Sequence, residues 1–446
     1  MLHEAIRQSL ATFLCESAED GGQPRHVERD FTGYLGCGIL ARGFARVRCR
    51  DCGDEILVAY SCKGRGVCPS CNARRSHDTA ARLVDNVLPR VPFRQWTLSF
   101  PKRIRWHLAR NPRLLTDVRT LFLRALFGFL RERARELGFD GQPGAICFDQ
   151  RFSSALTLNP HLHVLVPQGL FTAPAQDSNA ATFLPLPPPD DAQVQALLFT
   201  VATRTVRLLK KRGLLDNDAY PTSPHDATLA ASLQHRLPLG ADFLPPRTKR
   251  RCAFLEGFSL HANTHTHEND RQSLELLCRY GSRGALSLSR LSRTDDGRLA
   301  YLMKRPAPDG STLLVLTPLE LTRRLAALVP PPRVHLVHFV GVFAPRSKLR
   351  RHVVPRPVDA PVPPTAPATP APDPLPARKS RLDWASLLQR VFREDVLRCP
   401  CGGRRSVLAF ITDLKVVREI LLHLHLPQRP LPWASAQAPP QFEFAH

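Results

Sequence analysis

Cysteine, histidine and tyrosine are the residues of this chain whose spacing could do chemistry. Cys49, Cys52, Cys68 and Cys71 read C-x2-C-x15-C-x2-C within RCRDCGDEILVAYSCKGRGVCPSCNARR. Two close pairs at that separation can close a tetrahedral thiolate site around one zinc ion, Zn2+. A closed all-cysteine site leaves no open position for substrate, so it predicts a structural docking module. Arg74 and Arg75 follow at once and place positive charge, suited to nucleic-acid phosphates, beside the metal.

His161 and His163 lie in NPHLHVLV, where residues i and i+2 of a strand share a face. Two imidazoles side by side can hold a divalent cation, while Leu162, Val164 and Val166 point into a core. An HxH pair also arises as ordinary packing in a chain with 17 histidines. Tyr280 ends the amphipathic stretch NDRQSLELLCRY, with Arg279 and Arg283 around it. A phenol beside arginines and a metal is a nucleophile toward phosphate, and otherwise a common helix-end residue. Tyr34, Tyr60, Tyr220 and Tyr301 are its only competitors.

Periodicity supplies the elements that must position these groups. Residues 1–14, 76–89, 113–139, 192–213, 268–280 and 318–328 read as helices, with Gly281 as a helix stop and Pro318 at a first turn. RQWTLSF (94–100) alternates as a strand, and Ala145–Asp149 and His161–Val166 read as neighbouring strands. Residues 172–191 form a loop-like insertion, and 298–317 a hairpin turning at Pro308-Asp309-Gly310. Residues 353–378 are a Pro-rich linker, and LKVVREILLHL is a helix beyond it.

Lys and Arg number 62 against 39 Asp and Glu, a net charge of +23, and only nine of the cations are lysines. Such a chain favours a polyanion, and guanidinium forks suit phosphate. Paired cysteine spacings fit metal binding in a reducing compartment better than a disulfide framework. No apolar run has the length of a membrane span, and no signal-peptide pattern follows Met1. The expected location is cytoplasmic and nucleoid-associated, with DNA as partner and no membrane.

The order of these motifs resembles the insertion sequence ninety-one family of transposases and its common-region relatives, which are rolling-circle HUH tyrosine enzymes. The likeness runs through CKGRGVCPSCNARR, TAARLVDNVLPRVPFRQWTLSFP, GAICFDQRFSSALTLNPHLHVLV, LEGFSLHANTHTHENDRQSLELLCRY and DGRLAYLMKRPAPDGSTLLVLTPLELTRRLAALVPPPRVHLVHFVGVFAPRSKLR. It implies an α+β fold: a zinc-knuckle N-terminal module plus a ferredoxin-like HUH endonuclease palm, an antiparallel sheet flanked by helices. It also implies Mg2+ or Mn2+ on His161 and His163, and attack by Tyr280 on single-stranded or hairpin element ends to give a 5′-phosphotyrosine. Gln150 is the first candidate for a third ligand, with His265, His267 and Glu268 as alternatives. The domains expected are 1–80 for zinc and DNA docking, 81–352 for catalysis, 353–379 as linker and 380–446 as an accessory segment.

The chain departs from that family in three places. Founding members carry two tyrosines four residues apart, whereas Leu276 and Gly284 flank Tyr280 at that distance. GSRGALSLSR follows the tyrosine where relatives often continue with an Arg-Pro-rich run. A C-terminal CPxCGG turn is here Cys399-Pro400-Cys401-Gly402-Gly403, and its C-x-C spacing leaves both cysteines without a role. Two other functions share parts of the pattern: a non-catalytic zinc protein that binds nucleic acid, and an HUH replication initiator or relaxase.

Overall fold

The computed structural model describes residues 1–18, 21–174, 180–215, 223–233, 249–304, 306, 310–355 and 395–437. Most of the Pro-rich linker and the Pro308-Asp309 turn fall outside these residues, as does Tyr220. The described chain is α+β, and the paired strands of its sheets run antiparallel.

The N-terminal part starts with α1 (Leu2–Ala18) and α2 (Arg25–Leu35), followed by the hairpin of β1 (Phe44–Cys49) and β2 (Glu55–Ala59). Next comes α3 (Pro69–Asn86), which begins earlier than periodicity suggests because Cys68 is its N-cap and Pro69 its first residue. The central sheet then assembles from β3 (Phe93–Ser99), β4 (Gly144–Phe152), β5 (Leu158–Pro167), β8 (Cys252–Leu255), β9 (Phe258–Thr266) and β13 (Val337–Gly341). Its spatial order is β13-β4-β5-β3-β9-β8. Two strands expected to be neighbours, β4 and β5, do pair, with Gln150 opposite His161 and Phe148 opposite His163.

One face of this sheet carries Trp96, Leu98, Leu162, Val164 and Val166. They pack on α4 (Lys102–Arg110), α5 (Pro112–Glu136) and α6 (Asp191–Lys211), with Phe122, Leu126, Leu198 and Val201 in the same cluster. Asn111 caps α5 by accepting from Arg113 and Leu114 N–H, and Asp190 and Gln193 form a reciprocal cap on α6. The opposite face carries Phe93, Ile146, Phe148 and Leu165 against Leu83 and Val84 of α3. Leu274 and Cys278 of α8 (Arg271–Ser282) join the same cluster.

Gly281 belongs to this helix and does not stop it. A Cβ there would stand 2.6 Å from Phe148 Cγ, so glycine lets α8 lie directly on the sheet.

A second core unites α1, α2, α7 (Pro224–Leu233) and α9 (Pro318–Leu328) with the small sheet of β10 (Leu291–Arg293), β11 (Leu299–Leu302) and β12 (Leu313–Leu316). The pair β11–β12 is the hairpin expected at 298–317, and Thr317 and Glu320 cap α9 reciprocally. The insertion after residue 172 is not all loop, for β7 (Thr182–Pro185) pairs with β6 (Gly169–Thr172). Beyond α10 (Arg350–Val353), the C-terminal segment returns to the start of the chain. Its strand β14 (Arg405–Ile411) pairs with β1, and α11 (Leu414–His423) buries Val417 and Leu421 beside Ala41 and Phe44.

Candidate functional site

His161 and His163 sit on central strand β5 and face α3 and α8, opposite to the aliphatic core. Their ring centroids are 4.8 Å apart. Tyr280, in the last turn of α8, brings its ring to 5.4 Å from that of His163, edge to face. Burial draws the His161 imidazole down to about 4 and that of His163 well below its ordinary value, so both rings are neutral at pH 7.

The nitrogens of these rings fit a metal. His161 Nδ1 lies 2.7 Å from Asn159 O, and a carbonyl only accepts, so Nδ1 carries the proton and Nε2 the lone pair. His163 Nδ1 lies 3.1 Å from Thr97 Oγ1 and from Gln95 Nε2, while its Nε2 is buried with no hydrogen-bond partner. An orphaned imidazole nitrogen beside the lone pair of His161 Nε2 is a donor set for a divalent cation when His163 Nδ1–H donates to Thr97 Oγ1, since Nδ1 accepting from the Gln95 amide would put the proton on Nε2.

Gln150 stands opposite His161 and is buried. Its amide donates to Tyr280 O (2.5 Å) and Gly281 O (3.0 Å), tying β4 to the end of the tyrosine helix. The alternatives lie elsewhere. His265 pairs with Arg94, itself opposite Val166, three positions beyond His163, and is exposed. His267 and Glu268 follow the end of β9 and are exposed too. Among the described residues, no cluster of three His, Cys, Asp or Glu includes His161 and His163.

Arg283, at the end of α8, places Cζ 4.7 Å from the Tyr280 ring centroid and 5.0 Å from that of Phe152. Lys304 Nζ lies 4.7 Å from the same tyrosine ring. Arg279 is half-buried on the helix. Arg74 is half-buried in the first turns of α3, whereas Arg75 is exposed and donates to Lys63 O at 2.7 Å. Reading the sequence missed Gln95, Thr97 and Lys304. The first two were signalled by the alternation of RQWTLSF, whose polar members must share the face of His163. Lys304 had no local signal.

The cysteines form two clusters, which corrects the single quartet. Cys68 and Cys71 join Cys37 and Cys62, with Sγ separations of 3.8 Å (Cys37–Cys71), 3.5 Å (Cys62–Cys71) and 3.6 Å (Cys37–Cys68). Cys49 and Cys52 join Cys399 and Cys401 instead. A tetrahedral zinc site with Zn–S near 2.3 Å has sulfur edges of about 3.8 Å, which the first cluster matches. Asp30 supports it by accepting from the N–H groups of Arg65, Gly66 and Val67.

The physical reason for the split is the β1–β2 hairpin. Cys49 and Cys52 occupy its turn, whereas Cys62 follows β2 at the other end. Five residues of strand separate those ends by about 16 Å.

The first cluster is joined to the catalytic candidates through α3. Cys68 caps this helix, and Asn72 packs against Gly284, where a Cβ would stand 2.6 Å from Asn72 Nδ2. The cysteine cluster at the start of α3 thus backs the end of the tyrosine helix.

A basic chain with a helix-borne tyrosine against paired histidines and a thiolate-rich N-terminal module is built to act on nucleic acid. Residues 144–351 match the family described as "Putative transposase", and residues 6–100 match the "Transposase zinc-binding domain". These matches support a transposase that acts on DNA, with a zinc-binding N-terminal part. The two matches together span about two thirds of the chain, and through them it resembles transposases of the insertion sequence ninety-one type. No curated protein and no solved structure matches the chain. No helix among the described residues is long and apolar enough to cross a membrane.

Proposed function

We propose that this transposase nicks one strand of its element ends through Tyr280 and carries the DNA as a 5′-phosphotyrosine. The observation that supports this most is the contact of the Tyr280 ring with His163, whose Nε2 is buried and unpartnered. His161 and His163 would hold the cation through Nε2, and Gln150 would complete the ligands through its amide oxygen. A bound Mg2+ or Mn2+ would offset charge on a non-bridging phosphate oxygen in the transition state. Tyr280 Oη attacks phosphorus, the P–O3′ bond breaks, and the proton lost by the phenol is balanced by the one gained at the 3′-OH. Arg283 and Lys304, beside the tyrosine ring, hold the phosphate in line for attack.

Single-stranded ends are the substrate, because attack needs a flexible, accessible phosphodiester. With Leu276 and Gly284 at the positions four residues away, a single tyrosine serves this site. Arg74, Arg75 and Arg279 add phosphate contacts, so affinity falls steeply with salt.

The test uses purified full-length chain, labelled single-stranded element ends, and Mg2+ or Mn2+. The expected product is a covalent protein–DNA adduct that survives denaturing electrophoresis and is absent from Tyr280→Phe. DNA binding with no adduct under either metal would leave a binding protein in place of a nicking enzyme. An adduct retained by Tyr280→Phe would remove the tyrosine from its role.

A further inference from the structure

We propose that Cys49, Cys52, Cys399 and Cys401 hold a second zinc ion, and that this ion clasps the C-terminal segment to the N-terminal module. It is independent of the nicking reaction. The zinc-binding domain matched by the chain ends at residue 100, so half of these ligands lie outside it.

The geometry is that of two facing knuckles. Cys49 Sγ lies 3.6 Å from Cys401 Sγ, and Cys52 Sγ 3.5 Å from Cys399 Sγ, with all four sulfurs within 4.8 Å of one another. Four mutually close sulfurs at nearly the edge length of a thiolate tetrahedron suit one metal ion. In the first knuckle, Gly53 at φ +79° turns the chain, and its N–H donates to Cys49 O at 3.2 Å. In the second, Gly402 at φ +90° turns the chain, and its N–H donates to Cys399 O at 3.0 Å. The knuckles press so closely that a Cβ on Gly403 would stand 2.0 Å from Asp51 Oδ2 and 3.1 Å from Cys49 Sγ.

The neighbouring structure aligns the two halves. The β1–β14 ladder runs from Phe44 opposite Ile411 to Cys49 opposite Arg405, and so ends at the cluster. Arg405 pairs with Asp54 beside it. Further on, Arg7 donates to Pro432 O at 2.8 Å, and Ala434 N–H donates to Arg7 O at 3.1 Å.

The returning segment has little core to hold it otherwise. Among its described residues, Cys399, Val417 and Leu421 are the buried apolar ones, whereas Phe410 is 70% exposed and Leu408 52%. A small apolar contact of this kind benefits from a metal staple, since the binding free energy of the metal becomes free energy of docking. The ligands lie 352 residues apart in sequence for Cys49 and Cys401, so the site assembles only once both ends of the chain are present.

Zinc content of the full-length chain, purified with a reductant, tests this. The wild type is expected to hold two zinc ions per chain, and Cys399→Ser/Cys401→Ser to hold one with unchanged far-UV circular dichroism. A protease site placed within residues 356–394 gives a second readout. After cleavage, the C-terminal fragment should co-elute with the body in the wild type and separate in the double variant. Cobalt(II) titration of the wild type needs no variant, and its thiolate-to-cobalt charge-transfer absorbance, to which an imidazole site does not contribute, should saturate at two equivalents. One equivalent in the wild type, two zinc ions in the double variant, or cysteines at 399 and 401 recovered as disulfides would each overturn the clasp.

Discussion

The Tyr280 ring meets the His163 ring edge to face, with centroids 5.4 Å apart and planes at 86°. Arg283 and Lys304 put cationic groups over the same tyrosine. Lys304 is exposed, so its replacement should leave folding intact while removing a charge from the attacked phosphate. Lys304→Met is expected to slow adduct formation in single turnover by about 100-fold, the scale of losing one charge-stabilising donor. Its thermal midpoint should match the wild type. An unchanged rate would leave Arg283 as the working cation.

Gly281 sets how closely the tyrosine helix approaches the sheet. The Cβ of alanine would meet the rigid Phe148 ring at 2.6 Å and 2.7 Å. Gly281→Ala is expected to cost about 1–3 kcal/mol in urea unfolding, as overpacking does. It should also abolish the adduct, because the backbone of Tyr280 and Gly281 receives the Gln150 amide. Adding Phe148→Leu should return part of the stability, and a double-mutant cycle with no coupling would contradict this contact.

Asp149 is buried beneath the sheet with Arg119 at 2.6 Å and His338 Nε2 at 3.1 Å. Removing the guanidinium leaves a carboxylate, 2% exposed, that has lost its permanently charged partner and keeps only His338 Nε2 and the Cys147 thiol. Arg119→Met should therefore cost about 3–5 kcal/mol. Denaturant unfolding at pH 7 measures it, and a smaller loss is expected for Arg119→Met with Asp149→Asn.

His225 of α7 faces His26 of α2, with ring centroids 6.1 Å apart. Burial draws the His225 imidazole down to about 4, with the charges of His26 and Arg151 acting in the same direction and Asp226 opposing them. The unfolded chain takes up this proton near pH 6.5. Stability contributed by the neutral ring is therefore full above about 6.5 and is lost as pH falls toward 4. His225→Gln should flatten that part of the stability–pH curve in urea titrations between pH 7 and 4. A curve of unchanged slope would show that the ring does not titrate on unfolding.

Much of the candidate site was legible in the chain itself. Alternation around His161 and His163 depends on a period of two, a local property of any strand with one apolar face. The hairpin expected at residues 298–317 was readable for the same reason, and the longer helices from their period of 3.6. The extra turn of α8 past Tyr280 was not, because Gly281 reads as a stop until Phe148 is seen beneath it. The pairing of β14 with β1 had no local trace either, since its partners lie more than 350 residues apart.

The cysteines mark the boundary between the two kinds of information. The amino-acid order alone determined that Cys49 and Cys52, and Cys68 and Cys71, are close pairs able to present two sulfurs each; both were expected in tight turns, but Cys68 and Cys71 open helix α3. Which pairs share an ion depends on convergence to about 3.8 Å, which no spacing encodes. The β1–β2 hairpin carried the two pairs apart, and the tertiary structure supplied Cys37 and Cys62 to one and Cys399 and Cys401 to the other.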